Sequence, residues 1–343
     1  MSGIEVFVDD SPGEVRGVVV RDGRYERLIL QREDEPATHR PGARAVGRVT
    51  GVDPALRAAF VDLGGGGPVG FLPLSKGGSV REGEAVEVEV TAAPREAKGP
   101  ALRRLGPGQG PVGLIAPGPD VVEQLQTLAP GVEPVRGVEA IRAGREAEEA
   151  ALASGEVFSQ WGLDLAVQRT RALIAVDIDH APTPGRDARK GRAEANRRGL
   201  AQAARIIRLK GWGGLVVVDL VGTALDPAEV AVMAKAAFDG DGATFGPLSR
   251  FGLLQLALPW RDRPVEEVLN DAGGRASALT RAIAVVRALR HDLLCDTATP
   301  RLVARCAPEE AVLATPLAAR LGPRAGVRSD PGVAAGRFVI SED

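Results

Sequence analysis

The chain has 343 residues and a net charge of −2, with 44% hydrophobic and 26% charged residues, which predicts a globular protein of two or three domains at roughly 100–200 residues each. No apolar run is long enough to span a membrane, and the N-terminus lacks the basic start and apolar core of a secretory signal, so we expect a cytoplasmic protein. Two cysteines and three scattered histidines argue against a disulfide scaffold and against a structural zinc site.

The first third of the chain is predicted to be rich in β-structure. Residues 14–30 form a hairpin, because two β-rich runs flank Asp22-Gly23, the signal for a type I′ turn. Residues 43–105 contain short strands separated by glycine and proline, a pattern that predicts a small barrel. One more strand, VGLIA, and two helices, PDVVEQLQTL and RAGREAEEAALAS, follow.

The middle of the chain predicts a strand, a helix and a second strand. LDLAV and ALIAVDI form a hairpin-like pair, and residues 187–210 form a long helix that ends at Gly211. The strand LVVVDL comes next, so we expect two parallel strands. DPAE at residues 226–229 begins another helix, residues 275–291 are helical, and residues 300–343 form a small α/β unit.

Two of these strands lead into an aspartate, Asp177 in LIAVD and Asp219 in LVVVD. If the strands are parallel neighbours, both carboxylates lie at the carboxyl edge of the sheet, where α/β proteins bind ligands. Like charges at that distance repel, and a divalent cation such as Mg²⁺ removes the conflict. Hydrolysis of a phosphodiester is the chemistry that this arrangement permits.

Simpler interpretations remain open for these residues. An aspartate that closes a strand is often a helix cap or a loop anchor. Residues 186–210 hold nine basic and two acidic residues, and this basic helix either contacts phosphate or is a solvated surface.

The motifs together resemble the ribonuclease E/G family. The resemblance rests on GRVTGVDPALRAAFVDLG with GFLPL, REGEAVEVEV with AKGPAL, ALIAVDID, EANRRGLAQAARIIRLKGWGGLVVVDL and SRFGLLQL, in the family's order and spacing. It implies an α/β fold of several subdomains. They are an RNase H-like subdomain split between 1–40 and 106–155, an OB-fold RNA-binding barrel at 41–105, a DNase I-like catalytic subdomain at 156–272 and a small α/β domain at 273–343.

The resemblance also implies site residues. In such enzymes the aspartates that match Asp177 and Asp219 hold Mg²⁺, and water activated by the metal attacks a phosphodiester of single-stranded RNA. The position of Asp179 is usually asparagine and supports the site, and Arg250 steadies the substrate phosphate.

In the barrel, Phe60, Phe71 and Lys98 match the family's RNA contacts. This agrees with the physical chemistry, because aromatic rings stack on bases and a lysine holds a phosphate. The alternative for the two phenylalanines is a place in the barrel core.

The chain departs from the family's pattern in several places. The 5′-end sensor after the barrel is missing, so we expect no preference for 5′-monophosphorylated ends. The CPxC zinc link is also missing, so we expect a monomer without a zinc-linked oligomer. LVGT lacks an expected acidic residue, and Gln255 replaces an expected glutamate. The sequence therefore predicts a magnesium-dependent endoribonuclease, and its alternative is a degenerate paralogue that binds RNA without cutting it.

Overall fold

The computed structural model describes residues 3–96, 98–181, 188–223 and 225–343. Arg186, the first residue of the basic stretch, and residue 187, the predicted start of the helix, lie outside these residues. The chain divides into two compact units, Met1–Glu148 with Asp262–Asp343, and Glu149–Arg261. Both contain helices and sheets, so the predicted mixed α/β class is confirmed.

The first unit begins with an antiparallel sheet in the order β1-β2-β3. Its strands are β1 Ile4–Asp9, β2 Glu14–Arg21 and β3 Arg24–Arg32. The predicted hairpin corresponds to β2 and β3, and φ is 51° at Asp22 and 72° at Gly23, as a type I′ turn requires. Strand β1 extends the hairpin on one side and was not predicted from the sequence pattern.

The predicted barrel is a closed ring of strands. Its members and the strand beside it are β4 Arg44–Asp53, β5 Ala58–Asp62, β6 Gly70–Pro73, β7 Ala85–Ala92, β8 Ala101–Pro107 and β9 Gly113–Ala116. The sheet order is β5-β6-β8-β7-β4-β9, and an additional β5–β4 pairing closes the ring. Small and branched side chains such as Ala45, Val61, Leu72, Val86 and Val88 fill its interior.

Two helices follow the barrel, α1 Val121–Leu128 and α2 Val138–Leu152. Asp120 and Glu123 form a reciprocal capping box at the start of α1, which satisfies backbone N–H groups that the first turn leaves open. Val121 and Leu125 of α1 pack against the buried valines of the N-terminal sheet. The boundary between the two units falls within α2.

The second unit is a six-stranded sheet with two helices. The strands are β10 Gly155–Phe158, β11 Leu163–Arg169, β12 Ile174–His180, β13 Gly214–Asp219, β14 Thr244–Phe245 and β15 Leu253–Leu258, and the helices are α3 Ala188–Lys210 and α4 Pro227–Ala237. The sheet order is β10-β11-β12-β13-β15-β14. Strands β12 and β13 are parallel and are connected through α3, which confirms the predicted strand–helix–strand unit.

The helix start at residues 226–229 is also confirmed. The Asp226 side chain accepts a hydrogen bond from the backbone N–H of Ala228 at 2.8 Å, and Pro227 is the first residue of α4. In α3 the predicted apolar face is buried, with Leu200, Ala203 and Ala204 each 0% exposed. These side chains join the core under the sheet.

The C-terminal part of the first unit is a second small α/β layer. Its elements are α5 Val265–Leu269, α6 Ala278–Cys295, β16 Leu302–Cys306, α7 Pro308–Ala319, β17 Ala325–Ser329 and β18 Phe338–Glu342. The helix predicted over residues 275–291 begins later, because the Ser277 side chain caps it by accepting from the Thr280 N–H. It also continues to Cys295.

Buried ion pairs connect α6 to the N-terminal sheet. The Glu14 carboxylate is 0% exposed and accepts hydrogen bonds from Arg16 at 2.7 Å, Arg32 at 2.8 Å and Arg287 at 3.1 Å. Arg287 also donates to Asp9 at 2.5 Å. Burial of several charges is tolerated here because each carboxylate has more than one guanidinium partner.

None of the helices in the described parts of the chain combines the length and the apolar character needed to cross a membrane.

Candidate active site

The sheet of the second unit has one covered and one open face. Side chains alternate along each strand, and one set, which includes Val176, Ile178 and Val218, lies in the core with α3 and α4. The opposite set contains exposed aspartates on three neighbouring strands: Asp164 on β11, Asp177 and Asp179 on β12, and Asp219 on β13. We call these four residues the aspartate cluster.

Asp177 and Asp219 are register partners in the parallel β12–β13 ladder. Neighbouring strands are about 5 Å apart, and both side chains leave the sheet on the same face. The structure therefore brings together the two aspartates that the sequence singled out.

The position of Asp177 along its strand differs from the prediction. Asp219 is the last residue of β13, but β12 continues to His180, three residues beyond Asp177. The extension arises because the antiparallel neighbour β11 pairs with β12 as far as Leu163 opposite His180. Asp177 thus lies on the sheet surface and Asp219 at its edge.

A second pair of carboxylates follows from the β11–β12 register, in which Asp164 is opposite Asp179. Asp179 lies two residues after Asp177 and shares its face. Asp164 was missed at the sequence level. The sequence LDLAV does show a signal, because Asp164 alternates with apolar residues. Placing Asp164 beside Asp179 also requires the register of the hairpin, which the sequence does not give.

Proximity of like charges changes the acidity of the cluster. The pKa of Asp177 is raised from its ordinary value, first by partial burial and then by repulsion from Asp179, Asp219 and Asp164. The ionised carboxylates therefore repel one another, and a bound cation would reduce that repulsion.

The donor set suits a hard cation with few protein ligands. Magnesium is held in proteins by one or two carboxylates together with water and phosphate oxygens, and the Asp177–Asp219 pair provides two carboxylates. Among the described residues, no group of three or more His, Cys, Asp or Glu side chains is arranged to hold a metal ion. The pair fits Mg²⁺ only with oxygen ligands from water or substrate to complete the shell.

The loop after Asp219 is held by α3. The Asn196 side chain is 1% exposed, donates to the Val221 carbonyl at 3.1 Å and accepts from the Val221 N–H at 2.8 Å. This two-point contact satisfies the backbone of the LVGT segment and fixes the chain just beyond Asp219. Sequence patterns did not identify this role of Asn196.

Arg250 lies in the turn that leads into β15. The Ser249 hydroxyl accepts hydrogen bonds from the backbone N–H groups of Phe251 and Leu253, at 3.2 and 3.1 Å, and Leu253 is the register partner of Asp219. Arg250 is exposed, and its guanidinium carbon lies 4.7 Å from the centre of the Phe251 ring. Arg250 therefore lies three residues before Leu253, the residue that pairs with Asp219.

Gln255 lies on the open face as well. It is exposed and pairs in register with Val217, two residues before Asp219. It presents an amide at a position diagonal to the aspartate pair, where the family resemblance implies a carboxylate.

Much of the basic side of α3 is already paired with acidic groups. Glu194 accepts hydrogen bonds from Arg197 at 2.7 Å and from Arg198 at 2.5 Å, and these contacts lower its pKa to about 2. Further along, Arg205 pairs with Glu156 and Arg208 with Asp241. The charges of these arginines are therefore balanced by acidic residues of the second unit.

The three predicted RNA contacts of the barrel lie in the first unit. Phe60 and Phe71 are register partners on β5 and β6, with ring centres 6.2 Å apart in an edge-to-face arrangement. Phe71 is 36% exposed and Phe60 is partly exposed. Neither ring belongs to the buried barrel core, so the alternative of a core position is wrong.

Lys98 is exposed and forms an isolated bridge with Arg95 in the segment before β8. The Phe71 N–H donates to the carbonyl of Pro100. Lys98 is thus on the segment that runs beside the strand of Phe71.

The fold and the aspartate cluster define a mixed α/β protein with an acidic open sheet face. Residues 133–260 match the model of the Ribonuclease E/G family. This segment, which is less than half of the chain, is similar to the ribonuclease E/G family, and the resemblance found in the sequence is confirmed over these residues. The matched segment contains the whole aspartate cluster, and the barrel lies outside it. No curated protein matches the chain.

Proposed function

We propose that the protein is a magnesium-dependent endoribonuclease that cleaves single-stranded RNA at Asp177 and Asp219. The family match suggests endoribonuclease activity. The observation that carries the proposal is the register pairing of Asp177 with Asp219 on an exposed face, within the matched segment. Two adjacent carboxylates can hold one cation, and that cation can bind a phosphodiester of the RNA.

The proposal assigns a role to each residue of the site. Asp177 and Asp219 hold Mg²⁺, which when bound acts as a Lewis acid and lowers the pKa of the attacking water. Asp179 adds negative charge beside the pair and orients water. Arg250 holds a non-bridging oxygen of the scissile phosphate, and Asn196 keeps the loop behind Asp219 in place.

The barrel is proposed to bind the RNA chain. Its ring β4-β5-β6-β8-β7 is that of a five-stranded barrel, which supports an OB-type assignment. Phe60 and Phe71 stack on bases, and Lys98 contacts a phosphate. The assignment of the flanking segments to RNase H-like, DNase I-like and small C-terminal domains is part of the same proposal.

The test is cleavage of a labelled single-stranded RNA, with and without Mg²⁺, by the wild type and by Asp219→Asn. The proposal expects Mg²⁺-dependent cutting by the wild type and a loss of at least a hundredfold in the variant, with RNA binding retained. Asp226→Asn is a matched control, because asparagine keeps the helix cap of α4. Equal cutting by the wild type and Asp219→Asn would overturn the proposed site.

A catalytically degenerate paralogue that binds RNA is the second candidate. The observation that favours it is Gln255, which lies on β15 diagonal to Asp219 and has an amide there in place of a carboxylate. In that case Mg²⁺-dependent cutting is absent in the wild type, and RNA binding is the same in the wild type and Asp219→Asn.

A further inference from the structure

The described arginines of α3 differ in whether they have an acidic partner. Arg197 and Arg198 pair with Glu194, and Arg205 and Arg208 pair with acidic residues on neighbouring elements. Arg192 is exposed, and no ion pair of its guanidinium is found within the described part of the chain. Its charge is therefore available to a ligand.

Arg192 lies against the loop that follows Asp219. Gly222 has φ of 99°, and a Cβ added to it would lie 3.0 Å from Arg192 Cδ and 3.2 Å from Arg192 Nε. The side chain of Arg192 thus passes directly over the backbone of Gly222, three residues beyond Asp219. The absence of a side chain at Gly222 makes this close approach free of strain.

Two hydrogen bonds fix the loop beside this side chain. Asn196, one helical turn after Arg192, clamps both backbone groups of Val221, and Gly222 is the next residue. The helix and the loop are therefore tied together at the point where Arg192 crosses.

We propose that Arg192 is a substrate-binding residue that contacts a phosphate of the RNA chain next to the scissile one. This inference rests on the proposed function. Arg192 of α3 lies against Gly222 in the loop that leaves β13, and Arg250 lies in the turn that enters β15 beside Asp219. RNA bound at the aspartate pair would therefore contact one guanidinium from α3 and one from the turn before β15.

The experiment measures RNA affinity as a function of salt. The full chain with Asp219→Asn is used in Mg²⁺ so that the RNA stays intact, and the probe is a labelled single-stranded RNA oligonucleotide. Arg192→Ala, Arg192→Lys and Arg197→Ala are added to this parent. Arg197 is the matched control, because it is an exposed arginine of the same helix that is already paired with Glu194.

We expect Arg192→Ala to weaken RNA binding roughly tenfold at low salt and to reduce the slope of log affinity against log salt by about 0.7, the value for one contact with a single strand. Arg192→Lys keeps the slope, and Arg197→Ala leaves it unchanged. If the slope falls equally for both alanine variants, or for neither, the role of Arg192 is wrong while RNA binding by the parent still stands. A parent that does not bind RNA overturns the inference together with RNA binding itself.

Discussion

Asp177 and Asp219 are register partners on parallel neighbouring strands, with both carboxylates on the open face of the sheet. The consequence is mutual repulsion, seen in the raised pKa of Asp177, which partial burial and the other aspartates of the cluster cause together. A divalent cation changes this repulsion into shared coordination. The proposed metal site therefore predicts that the pair is destabilising alone and that bound metal stabilises the fold.

Addition of Mg²⁺ is expected to raise the thermal unfolding temperature of the wild type, measured against Na⁺ at equal ionic strength. Binding to the folded state alone contributes about 2.7 kcal/mol at a hundred times the dissociation constant. Asp177→Asn and Asp219→Asn should lose this increase, and Asp226→Asn should retain it. The same increase in all four proteins would mean that Mg²⁺ binds elsewhere.

Phe60→Ala and Phe71→Ala are expected to weaken binding of single-stranded RNA by roughly 1–3 kcal/mol for each stacked base. Both rings are outside the barrel core, so the free energy of unfolding should change little. Leu72→Ala is the contrasting variant, because Leu72 is 0% exposed and its truncation should cost about 2–5 kcal/mol of stability. Equal RNA affinity in the wild type and both phenylalanine variants contradicts the stacking role.

Gln255→Glu is expected to lower the Mg²⁺ concentration needed for half-maximal cleavage by roughly two- to tenfold. Gln255 is opposite Val217, and diagonal neighbours on one face are about 7–8 Å apart, so a carboxylate there strengthens the field at Asp219. Gln126→Glu is the matched control, because it makes the same change of charge at an exposed position of α1 in the first unit. No change in the Mg²⁺ requirement of Gln255→Glu would show that the missing glutamate is not what limits the site.

The local patterns of this chain predicted much of the second unit. The apolar face of α3 and the turn residues at its end predicted the helix, and the two flanking apolar runs predicted parallel strands. Because each apolar run leads into an aspartate, parallel pairing of the two runs brings Asp177 beside Asp219, although β12 continues to His180. These features depend on periods of two and 3.6 residues, which a sequence displays directly.

Features that depend on register or on distant side chains were not predictable in this way. Asp164 reaches the cluster only through the exact β11–β12 pairing, and Asn196 acts on a loop 25 residues away. The link from Asp9 to Arg287 joins positions 278 residues apart. Nothing in the local pattern distinguishes these polar side chains from exposed ones.

The buried carboxylate of Glu14 makes the stability of the first unit dependent on pH. Burial alone raises its pKa, but the guanidinium groups of Arg16, Arg287 and Arg32 outweigh burial and lower the pKa from 4.5 to about 2. A folded-state pKa below the unfolded value means that the stabilisation is complete above about pH 4.5 and is lost as the pH falls towards 2.

Glu14→Gln is therefore expected to reduce the free energy of unfolding strongly at pH 7, because it leaves buried guanidinium groups without their shared carboxylate. The difference in the free energy of unfolding between the wild type and this variant should shrink by roughly 2 kcal/mol between pH 7 and pH 3. Urea denaturation at each pH measures it. Val18→Ala removes buried apolar volume from the same sheet without an ionisable group, so its gap to the wild type should be the same at both pH values. If the loss of unfolding free energy in Glu14→Gln is the same at both pH values, as expected for Val18→Ala, then the Glu14 carboxylate is not stabilised by its arginine partners.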